Sequence, residues 1–460
     1  MLDSIQWDTA LIQRYDQAGP RYTSYPTAVQ FNDSVGPLNV LAAARESAKH
    51  SRALSLYVHI PFCANICYYC ACNKVITKDR SRAAAYLVAL EQEMAIISRH
   101  LHPDQVIEQL HFGGGTPTFL SHSQLRELMA MIGKYFNLLD DDSGDYSIEI
   151  DPREADWATM GLLRELGFNR VSLGVQDLDP QVQRAINRMQ SLEETEAIID
   201  AAHTLQFRSV NIDLIYGLPL QTPERFAESV AAVIALQPDR LSLFNYAHLP
   251  ERFKPQRRIN TQDLPSPATK LAMLQGSIEQ LLAAGYRYIG MDHFALPDDE
   301  LAIAQEDDSL HRNFQGYTTH GHCDLIGLGV SAISQIGTLY SQNSSDLNEY
   351  QQSLALGQLA TKRGLTSSDD DHIRQAVIQQ IICHFELQFD DIEQRFGINV
   401  LDYFSDCLPA LHDMHEDGLI RFDDKAIEVL PAGRLLVRSV CMVFDHYLHS
   451  TNTQRYSRVI

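Results

Sequence analysis

Short apolar runs alternate with segments of helical periodicity through the middle of the chain. The apolar runs that predict strands cover residues 54–60, 109–112, 146–150, 170–175, 209–215, 240–245 and 286–291. The segments that predict helices between them cover residues 82–98, 123–135, 192–205, 224–235 and 269–283. A repeated strand and helix indicates an α/β fold with a parallel sheet and helices outside it, either a barrel or a doubly wound sheet.

The pattern changes after about residue 365. Helical periodicity covers residues 371–384, 400–416 and 432–448, and residues 418–430 suit a hairpin. Helices with a hairpin resemble a winged helix, but these helices are not basic, so a packing domain or lid is favoured over DNA binding. The predicted domains are a segment 1–50 folded over the active site, a barrel 51–365 and a mainly helical C-terminal domain 366–460.

Four cysteines follow the first predicted strand directly: Cys63, Cys67, Cys70 and Cys72. The spacing C-x3-C-x2-C can direct three thiolates at one cubic 4Fe-4S cluster, which leaves the fourth iron open to a small molecule. Zinc sites usually take two pairs of ligands from separate loops. A structural zinc knuckle, a disulfide pair and simple burial remain the alternatives.

Other unusual residues fall at the ends of predicted strands, where barrel enzymes place their functional loops. The glycine run 113–115 follows the second strand, Glu149 closes the third and Gln176 closes the fourth. Residues without side chains let a ligand approach the backbone closely. The phosphate-binding and dinucleotide-binding glycine patterns are both missing from the sequence, so neither ligand is indicated.

Composition favours an intracellular enzyme. The chain has 460 residues, 45% of them hydrophobic, and a formal net charge of −22, which argues against nucleic acid or an anionic membrane as a partner. Neither a membrane-spanning run nor a signal peptide is evident, so the cytoplasm is the predicted location. The cysteines outside the cluster motif are scattered, which fits a reducing compartment.

The cysteine motif matches the signature of the radical S-adenosylmethionine superfamily. Further segments resemble one of its families, the oxygen-independent coproporphyrinogen III oxidases, and they cover residues 19–27, 57–63, 290–295, 311–319 and 456–460. The resemblance extends over essentially the whole chain. It implies a partial (β/α) barrel of the radical SAM type, with a winged-helix-like C-terminal domain.

The same resemblance implies a reaction in haem biosynthesis. A 4Fe-4S cluster would pass one electron to S-adenosylmethionine and cleave it to methionine and a 5′-deoxyadenosyl radical. The radical would abstract a hydrogen atom from the β-carbon of a propionate of coproporphyrinogen III. Loss of carbon dioxide and one further electron would give a vinyl group, and two such events would give protoporphyrinogen IX. An electron donor protein such as flavodoxin or ferredoxin is the implied partner, and a monomer is expected.

Residue roles follow from the resemblance position by position. Cys63, Cys67 and Cys70 would bind the cluster. Two S-adenosylmethionine molecules are implied, the first lined by Tyr57, Tyr69, Gly114, Glu149 and Ile333, and the second by Gly115, Thr116, Gln176, Arg188, Asp213 and Ala247. The substrate carboxylates would meet Arg21, Tyr22, Arg312 and Tyr317, because guanidinium groups and phenols bind carboxylates well. Cys72 would be a catalytic thiol rather than a ligand.

Two other functions share some of these features. A haem chaperone of the same superfamily would share the cluster, but such chaperones lack counterparts of Cys72 and of residues 21–27. An iron–sulfur electron carrier would not need so large a chain or a glycine-rich ligand loop.

His320, His322, Cys323 and Asp324 lie close together in the sequence and could suggest a second metal. No ligand spacing repeats there, so an ordinary polar loop is favoured.

Overall fold

The computed structural model describes residues 5–450, 456 and 458. Most of the segment 456–460, which resembles the family in sequence, therefore lies outside the described residues. The strands are β1 (Leu54–Ile60), β2 (Phe62–Cys63), β3 (Val75–Ile76), β4 (Val106–Gly114), β5 (Asn137–Leu138), β6 (Asp145–Ile150), β7 (Arg170–Gln176), β8 (Ser209–Tyr216), β9 (Arg240–Asn245), β10 (Arg287–Gly290), β11 (His293–Ala295), β12 (His311–Asn313), β13 (Gly316–Thr318), β14 (Asp324–Leu328), β15 (Ile333–Ile336), β16 (Leu339–Asn343), β17 (Thr361–Thr366), β18 (Glu386–Gln388), β19 (Ile420–Phe422) and β20 (Ala426–Val429).

The α-helices, in the same order, are α1 (Thr9–Tyr15), α2 (Pro37–Lys49), α3 (Ser81–Ser98), α4 (His122–Tyr135), α5 (Trp157–Glu165), α6 (Pro180–Ala185), α7 (Leu192–Thr204), α8 (Pro223–Ala235), α9 (Pro267–Ala283), α10 (Glu300–Glu306), α11 (Leu347–Ala355), α12 (Asp369–His384), α13 (Phe389–Phe396), α14 (Val400–Tyr403), α15 (Leu408–Glu416), α16 (Val437–Val443) and α17 (His446–Ser450). None of the described helices is long and apolar enough to cross a membrane.

The chain divides into two compact units. The barrel unit consists of residues 31–277 and 322–366. The composite unit combines three segments, namely residues up to Gln30, residues 278–321 and residues from Ser367 onward. The predicted boundary near 365 coincides with a change of unit, whereas the predicted segment 1–50 is shared between the two. The position of that segment over the active site stays a prediction.

A run of parallel strands forms the core of the barrel unit, in the order β14, β1, β4, β6, β7, β8 and β9. Strands β15 to β17 continue the sheet beyond β14 in antiparallel fashion. Along β6 and β8 the residues alternate between buried and half-buried. The buried residues lie on the face of the sheet that the helices cover, and the half-buried residues lie on the opposite face, which a ligand can reach. All parallel strands end at the same edge, and the loops at that edge carry the candidate site.

Local sequence explains where the barrel helices begin. Ser121 and Ser191 form capping boxes at α4 and α7, each with the third helical residue of its helix. Thr222 caps α8, and Pro223 occupies its first turn, where a missing N–H costs no hydrogen bond. The predicted strands at 54–60 and 240–245 coincide with β1 and β9. Predicted and observed helix ends in the barrel differ by one or two residues.

The composite unit contains the long helix α12 and a three-stranded antiparallel sheet in the order β18, β20, β19. The continuous helix predicted at 400–416 was wrong. It is broken into α14 and α15, because Pro409 in the first turn of α15 has no N–H to donate to the carbonyl four residues earlier, and its ring would clash with that carbonyl in a continuous helix. The helix predicted at 432–448 was also too long, since the chain leaves helical form between α16 and α17, where the Asp445 carboxylate accepts from the backbone N–H of Tyr447 at 2.9 Å.

Candidate active site

The loop after β1 brings three cysteines of the predicted motif together. Cys63 ends the short strand β2, Cys67 is buried, and Cys70 is half-buried. The backbone N–H of Cys70 donates to the carbonyl of Cys67 at 3.4 Å, which bends the loop back on itself. Lys74 fixes the far end by donating to the carbonyls of Cys70 and Cys72 at 2.9 and 3.3 Å. The loop is therefore held by its own backbone without any bound group.

Hydrogen-bond donors surround the three sulfurs. The Thr116 hydroxyl donates to Cys63 Sγ at 3.5 Å, and the guanidinium groups of Arg188 and Arg153 donate to Cys67 Sγ at 3.6 and 3.8 Å. Burial, with a contribution from the other loop thiols, raises the pKa of Cys63 to about 11. A hydrogen bond from Cys72, and the charge of Lys74, lower the pKa of Cys70 below its ordinary value. Donors and cations of this kind stabilise thiolate ligands and an anionic cluster.

The spacing of the sulfurs argues for a cluster over a single zinc ion. Ligand atoms on one tetrahedral zinc lie about 3.8 Å apart when the Zn–S distance is about 2.3 Å. Among the described residues, the group of three potential ligand atoms within 4.8 Å of one another is Glu108, His322 and Cys323. Cys63, Cys67 and Cys70 do not form such a group among the described residues. These residues fit a 4Fe-4S cluster.

The glycine run lies at the end of β4, against the end of β1. Gly114 has φ +116°, and a Cβ there would stand 2.7 Å from the His59 ring. A Cβ on Gly115 would stand 2.8 Å from backbone atoms of Pro61 and Phe62. Gly115 also donates to the carbonyl of Ile60 at 2.8 Å. A larger residue would therefore collide with the end of β1 at both positions. The missing side chains also leave space for a ligand beside the cysteine loop.

A row of polar side chains lines the half-buried face of the sheet next to this run. The Tyr57 hydroxyl lies 3.0 Å from His59 Nδ1, and the rings of Tyr57 and His111 stack with centroids 5.8 Å apart. His111 Nε2 lies 3.4 Å from a carboxylate oxygen of Glu149, and Gly114 N–H donates to the other oxygen at 3.2 Å. Burial would raise the pKa of Glu149, but the His111 contact and the Gly114 hydrogen bond leave it below the ordinary value. Glu149 is therefore a carboxylate with 46% of its side-chain surface still open to a ligand.

Asp213 lies two strands further along the same face. Asn211 and Ser172 donate to its two carboxylate oxygens at 2.8 and 3.4 Å. Burial, together with the negative charge of Glu149, raises the pKa of Asp213 to about 6 despite these hydrogen bonds. The two predicted acidic residues are thus close enough for the charge of Glu149 to affect the ionisation of Asp213. Glu149 is the more acidic of the pair.

Arg188 is buried and already engaged by protein groups. Its Nη1 lies 2.9 Å from the Asp151 carboxylate, and its Nη2 donates to the Gly174 carbonyl. The buried Nε has no hydrogen-bond partner in the described part of the chain. Gln176 lies nearby on β7 in left-handed backbone conformation, with φ 70°. The expected pairing of Arg188 with a ligand carboxylate would therefore use its Nε–H.

The remaining predicted cofactor residues lie around this edge of the barrel unit. Tyr69 packs beside the buried cluster Val182, Ile186, Leu218, Tyr246 and Ile259, and its carbonyl accepts from Gln256 at 2.9 Å. Ala247 follows β9 and is exposed, and its carbonyl accepts from the same Gln256 amide at 3.2 Å. Ile333 begins β15, and a Cβ on Gly327 would strike its backbone. Gln256 thus ties together two of these segments.

The four predicted substrate residues lie in the composite unit. Arg21 forms an ion pair with Asp292. Both phenols are used internally: Tyr22 donates to Asp445 at 2.9 Å, and Tyr317 donates to the Ile382 carbonyl at 3.0 Å. As observed, these two tyrosines stabilise the fold, and their hydroxyls are not offered to a ligand.

Arg312 differs from these three residues. Its guanidinium lies 4.7 Å above the centre of the Tyr317 ring, and its Nε donates to the Arg21 carbonyl at 3.4 Å. The side chain is only 5% exposed, its Nη1 has no hydrogen-bond partner, and no carboxylate of a described residue pairs with it. A buried cation without a counter-ion is costly, so this position is suited to an anion from outside the protein.

Sequence reasoning missed several residues of the site. Asp151 and Arg153 bind each other at 2.7 Å and bring a second guanidinium to Cys67. His59 and His111 were missed as well, although His59 shares one face of β1 with the predicted residue Tyr57, and His111 lies two residues before the glycine run. That spacing was the available signal, because residues two apart share one face of a strand.

Comparison with known proteins agrees with this geometry. Residues 57–233 match the radical SAM superfamily, and residues 367–436 match the HemN C-terminal domain. Over 460 residues the chain is 71% identical to the oxygen-independent coproporphyrinogen III oxidase of Pseudomonas aeruginosa and covers 100% of both chains. The chain belongs to the family of oxygen-independent coproporphyrinogen III oxidases.

Two further comparisons support membership of this family. The Escherichia coli oxygen-independent coproporphyrinogen III oxidase is 49% identical, with 100% of both chains covered. The solved structure of coproporphyrinogen III oxidase (HemN) from Escherichia coli, described as a radical SAM enzyme, superposes with a TM-score of 0.92 at 48% identity. It covers 96% of this chain and 100% of that chain. The predicted fold class, a partial barrel with a mainly helical C-terminal domain, is confirmed.

Proposed function

We propose that this protein catalyses the oxygen-independent conversion of coproporphyrinogen III to protoporphyrinogen IX in haem biosynthesis. Each of two propionate side chains would lose carbon dioxide, one hydrogen atom and one further electron, and would become a vinyl group. The observation that carries this proposal is the cysteine loop beside the glycine run, in a chain 71% identical over its full length to an oxidase of that name.

The chain provides residues for a cluster and for S-adenosylmethionine. Cys63, Cys67 and Cys70 would hold the cluster, with Arg188 and Arg153 offsetting its negative charge. Bound together, the cluster and S-adenosylmethionine would supply the one-electron chemistry that removes a hydrogen atom from the propionate β-carbon. The glycine run offers backbone groups to the methionine part of the cofactor.

The acidic residues would orient the cationic cofactor. Glu149, held ionised by His111 and Gly114, would accept hydrogen bonds from an ammonium group or ribose hydroxyls. Tyr57, Tyr69 and Ile333 would complete the binding site for this first molecule.

A second S-adenosylmethionine molecule is part of the proposal. Gly115, Thr116, Gln176, Arg188, Asp213 and Ala247 would line it. Support comes from the open Nε of Arg188 and from the electrostatic coupling of Asp213 to Glu149, since two carboxylates in one field favour cationic ligands.

The substrate carboxylates would be met by Arg312 and Arg21. Arg312 is supported by its burial and its unpartnered Nη1. Arg21 would have to exchange its ion pair with Asp292 for a ligand carboxylate. Tyr22 and Tyr317 would contribute by holding these two arginines in place, because Tyr317 stacks under Arg312 and Tyr22 directly follows Arg21.

Cys72 is proposed as a catalytic thiol. It is exposed on the cysteine loop, and Lys74 binds its carbonyl at 3.3 Å. Three other cysteines already supply the cluster ligands, so this thiol is left for hydrogen or proton transfer. We also propose a cytoplasmic monomer with an electron donor protein such as flavodoxin or ferredoxin as its redox partner, and no nucleic acid or membrane as a partner.

An anaerobic assay tests the proposed reaction. Reconstituted protein, a reductant, S-adenosylmethionine and coproporphyrinogen III should yield protoporphyrinogen IX, identified by mass, together with 5′-deoxyadenosine and methionine. The Cys67→Ser protein is the matched control, and it should lack both cofactor cleavage and decarboxylation. If S-adenosylmethionine is cleaved but coproporphyrinogen III stays unchanged, the proposed substrate is wrong. Haem binding without any turnover would instead favour a chaperone.

A further inference from the structure

Three side chains with different ligand atoms meet at the edge of the barrel unit opposite the cysteine loop. Glu108 is the third residue of β4, while His322 and Cys323 immediately precede β14. The carboxylate, imidazole and thiol ligand atoms all lie within 4.8 Å of one another. His322 Nε2 lies 2.7 Å from Glu108 Oε2, and Cys323 Sγ lies 3.8 Å from the same oxygen.

Sheet register explains why these residues meet. Strands β4 and β14 are the two neighbours of β1, and Leu54 at the start of β1 pairs with Ile107 on one side and Asp324 on the other. Glu108 and Cys323 are each one residue from those partners. The sheet therefore brings together two segments more than two hundred residues apart in sequence.

We propose that Glu108, His322 and Cys323 bind a divalent transition metal, with Zn²⁺ as the preferred ion and water as the fourth ligand. One carboxylate oxygen, one imidazole nitrogen and one thiolate sulfur form a mixed set that suits zinc, whereas magnesium and calcium select oxygen ligands only. The two separations from Glu108 Oε2, 2.7 and 3.8 Å, differ by less than 1 Å from those expected around a tetrahedral zinc, about 3.3 to 3.7 Å for ligands bound at about 2.0 to 2.3 Å.

This site is separate from the cluster. The cysteine loop follows the carboxyl end of β1, whereas the triad lies beside its amino end. Seven residues of strand at about 3.3 Å each put roughly 20 Å of sheet between them. A metal at the triad would join β4 to β14 across the start of β1. It would act on the stability of the barrel unit, because an ion that binds only the folded state stabilises that state.

Zinc binding to the cluster-loaded holoenzyme tests the proposal, because the loop cysteines are then occupied by iron. Equilibrium dialysis against Zn²⁺ alone should show one equivalent bound beyond the iron, and added zinc should raise the unfolding temperature. X-ray absorption at the zinc edge should report one sulfur at about 2.3 Å and nitrogen or oxygen ligands at about 2.0 Å.

Variants of the proposed ligands, with matched controls, test which residues bind the ion. Cys323→Ser and Glu108→Gln should each weaken zinc binding about tenfold or more while the iron content stays the same. His203→Ala at the surface, Cys407→Ser in the core and Cys72→Ser on the cluster loop should bind zinc like the unmodified protein. Absence of zinc from the unmodified holoenzyme, or equal binding by Cys323→Ser, would overturn the site. Loss of binding in Cys72→Ser would place the ion at the cluster loop and overturn it too.

Discussion

Individual charges inside the barrel unit are set by their neighbours more than by residue type. Glu149 and Asp213 share one face of the sheet, yet the pKa of Glu149 lies below its ordinary value and that of Asp213 is raised to about 6. The difference arises because Glu149 has a histidine and a backbone N–H as partners, whereas the partners of Asp213 are an uncharged amide and two hydroxyls, and the charge of Glu149 opposes its ionisation. Asp213 can therefore change charge near neutral pH.

Binding of the second S-adenosylmethionine should depend on this carboxyl. An ordinary aspartate is already ionised at pH 5, but a pKa of about 6 keeps Asp213 mostly neutral there. Affinity for the cationic cofactor should rise about tenfold between pH 5 and pH 7.5, following the ionised fraction. Equilibrium dialysis should show the Asp213→Asn protein without that rise and with an intact cluster. Saturation of the unmodified protein at one molecule would contradict the second site.

Cys72→Ser should separate catalysis from cluster binding. Iron content, the cluster spectrum and S-adenosylmethionine binding should stay unchanged, while decarboxylation of coproporphyrinogen III falls by about a hundredfold or more, as for loss of a proton-transfer group. Rapid-quench measurement of product and 5′-deoxyadenosine would show whether cofactor cleavage continues. Unchanged turnover would make Cys72 a packing residue, and lost iron would make it a ligand.

Arg312→Met should raise the KM for coproporphyrinogen III about tenfold or more. The unfolding temperature should stay equal or increase, because the change removes a buried cation that has no counter-ion among the described residues. Arg287 is the matched control, since it is similarly buried but paired with Glu306 at 2.5 Å. Arg287→Met should lower the unfolding temperature without a change in KM. A lower unfolding temperature and an unchanged KM in Arg312→Met would show a purely structural role.

Two strand ends approach each other closely where β4 ends. The glycine run belongs partly to the strand, and its backbone contacts the end of β1 directly. The cysteine loop is attached to that same end through the hydrogen bond from Thr116 N–H to the Phe62 carbonyl at 2.9 Å. The position of the cysteine loop therefore depends on how closely two strand ends approach.

Gly115→Ala should disrupt this approach. The added Cβ would meet the backbone of Pro61 and Phe62 at 2.8 Å, and backbone atoms cannot move aside as a flexible side chain can. The free energy of unfolding should fall by about 1–3 kcal/mol, and S-adenosylmethionine binding should be lost. Gly161→Ala in α5 is the control, because its Cβ would meet nothing within 4 Å and alanine favours helix. Chemical denaturation and titration with S-adenosylmethionine should be carried out on both variants. Equal free energies of unfolding for the two variants would contradict the prediction.

Across the whole molecule, the composite unit is held together by contacts between distant segments. The hydroxyl of Tyr22 binds Asp445, the hydroxyl of Tyr317 binds the Ile382 carbonyl, and Arg438 Nε donates to the Pro20 carbonyl at 2.9 Å. All three hydrogen bonds involve buried groups. The N-terminal and middle segments of this unit therefore depend on the C-terminal one.

A chain that ends at residue 366 should lose the fold of the composite unit. Residues up to Gln30 and residues 278–321 would be left with exposed apolar surface and unpaired polar groups, each costing about 1–3 kcal/mol. Limited proteolysis should cleave both segments rapidly, while the strands of the barrel unit persist. A protease-resistant product that unfolds in one transition at the full-length temperature would instead support three sequential domains.

The sequence by itself determined the features that depend on neighbouring residues. The strand and helix alternation, the cysteine motif and the glycine run all rest on local periodicity or spacing, and β1 and β9 were located to the residue. The role of Cys63, Cys67 and Cys70 as cluster ligands stays a prediction. The breaks in the C-terminal helices were missed, because one depends on a proline inside an apolar pattern and the other on Asp445, which a distant tyrosine binds.

Only the tertiary structure decided what distant segments do together. It brought Asp151 and Arg153 to Cys67, placed Glu108 beside His322 and Cys323, and joined three separate segments into one unit. It also left Arg312 buried with no counter-ion among the described residues. Each of these depends on strand register or on burial between residues far apart in the chain. Local periodicity specifies which face of an element is apolar, but the residue that lies opposite is fixed only when the elements pack.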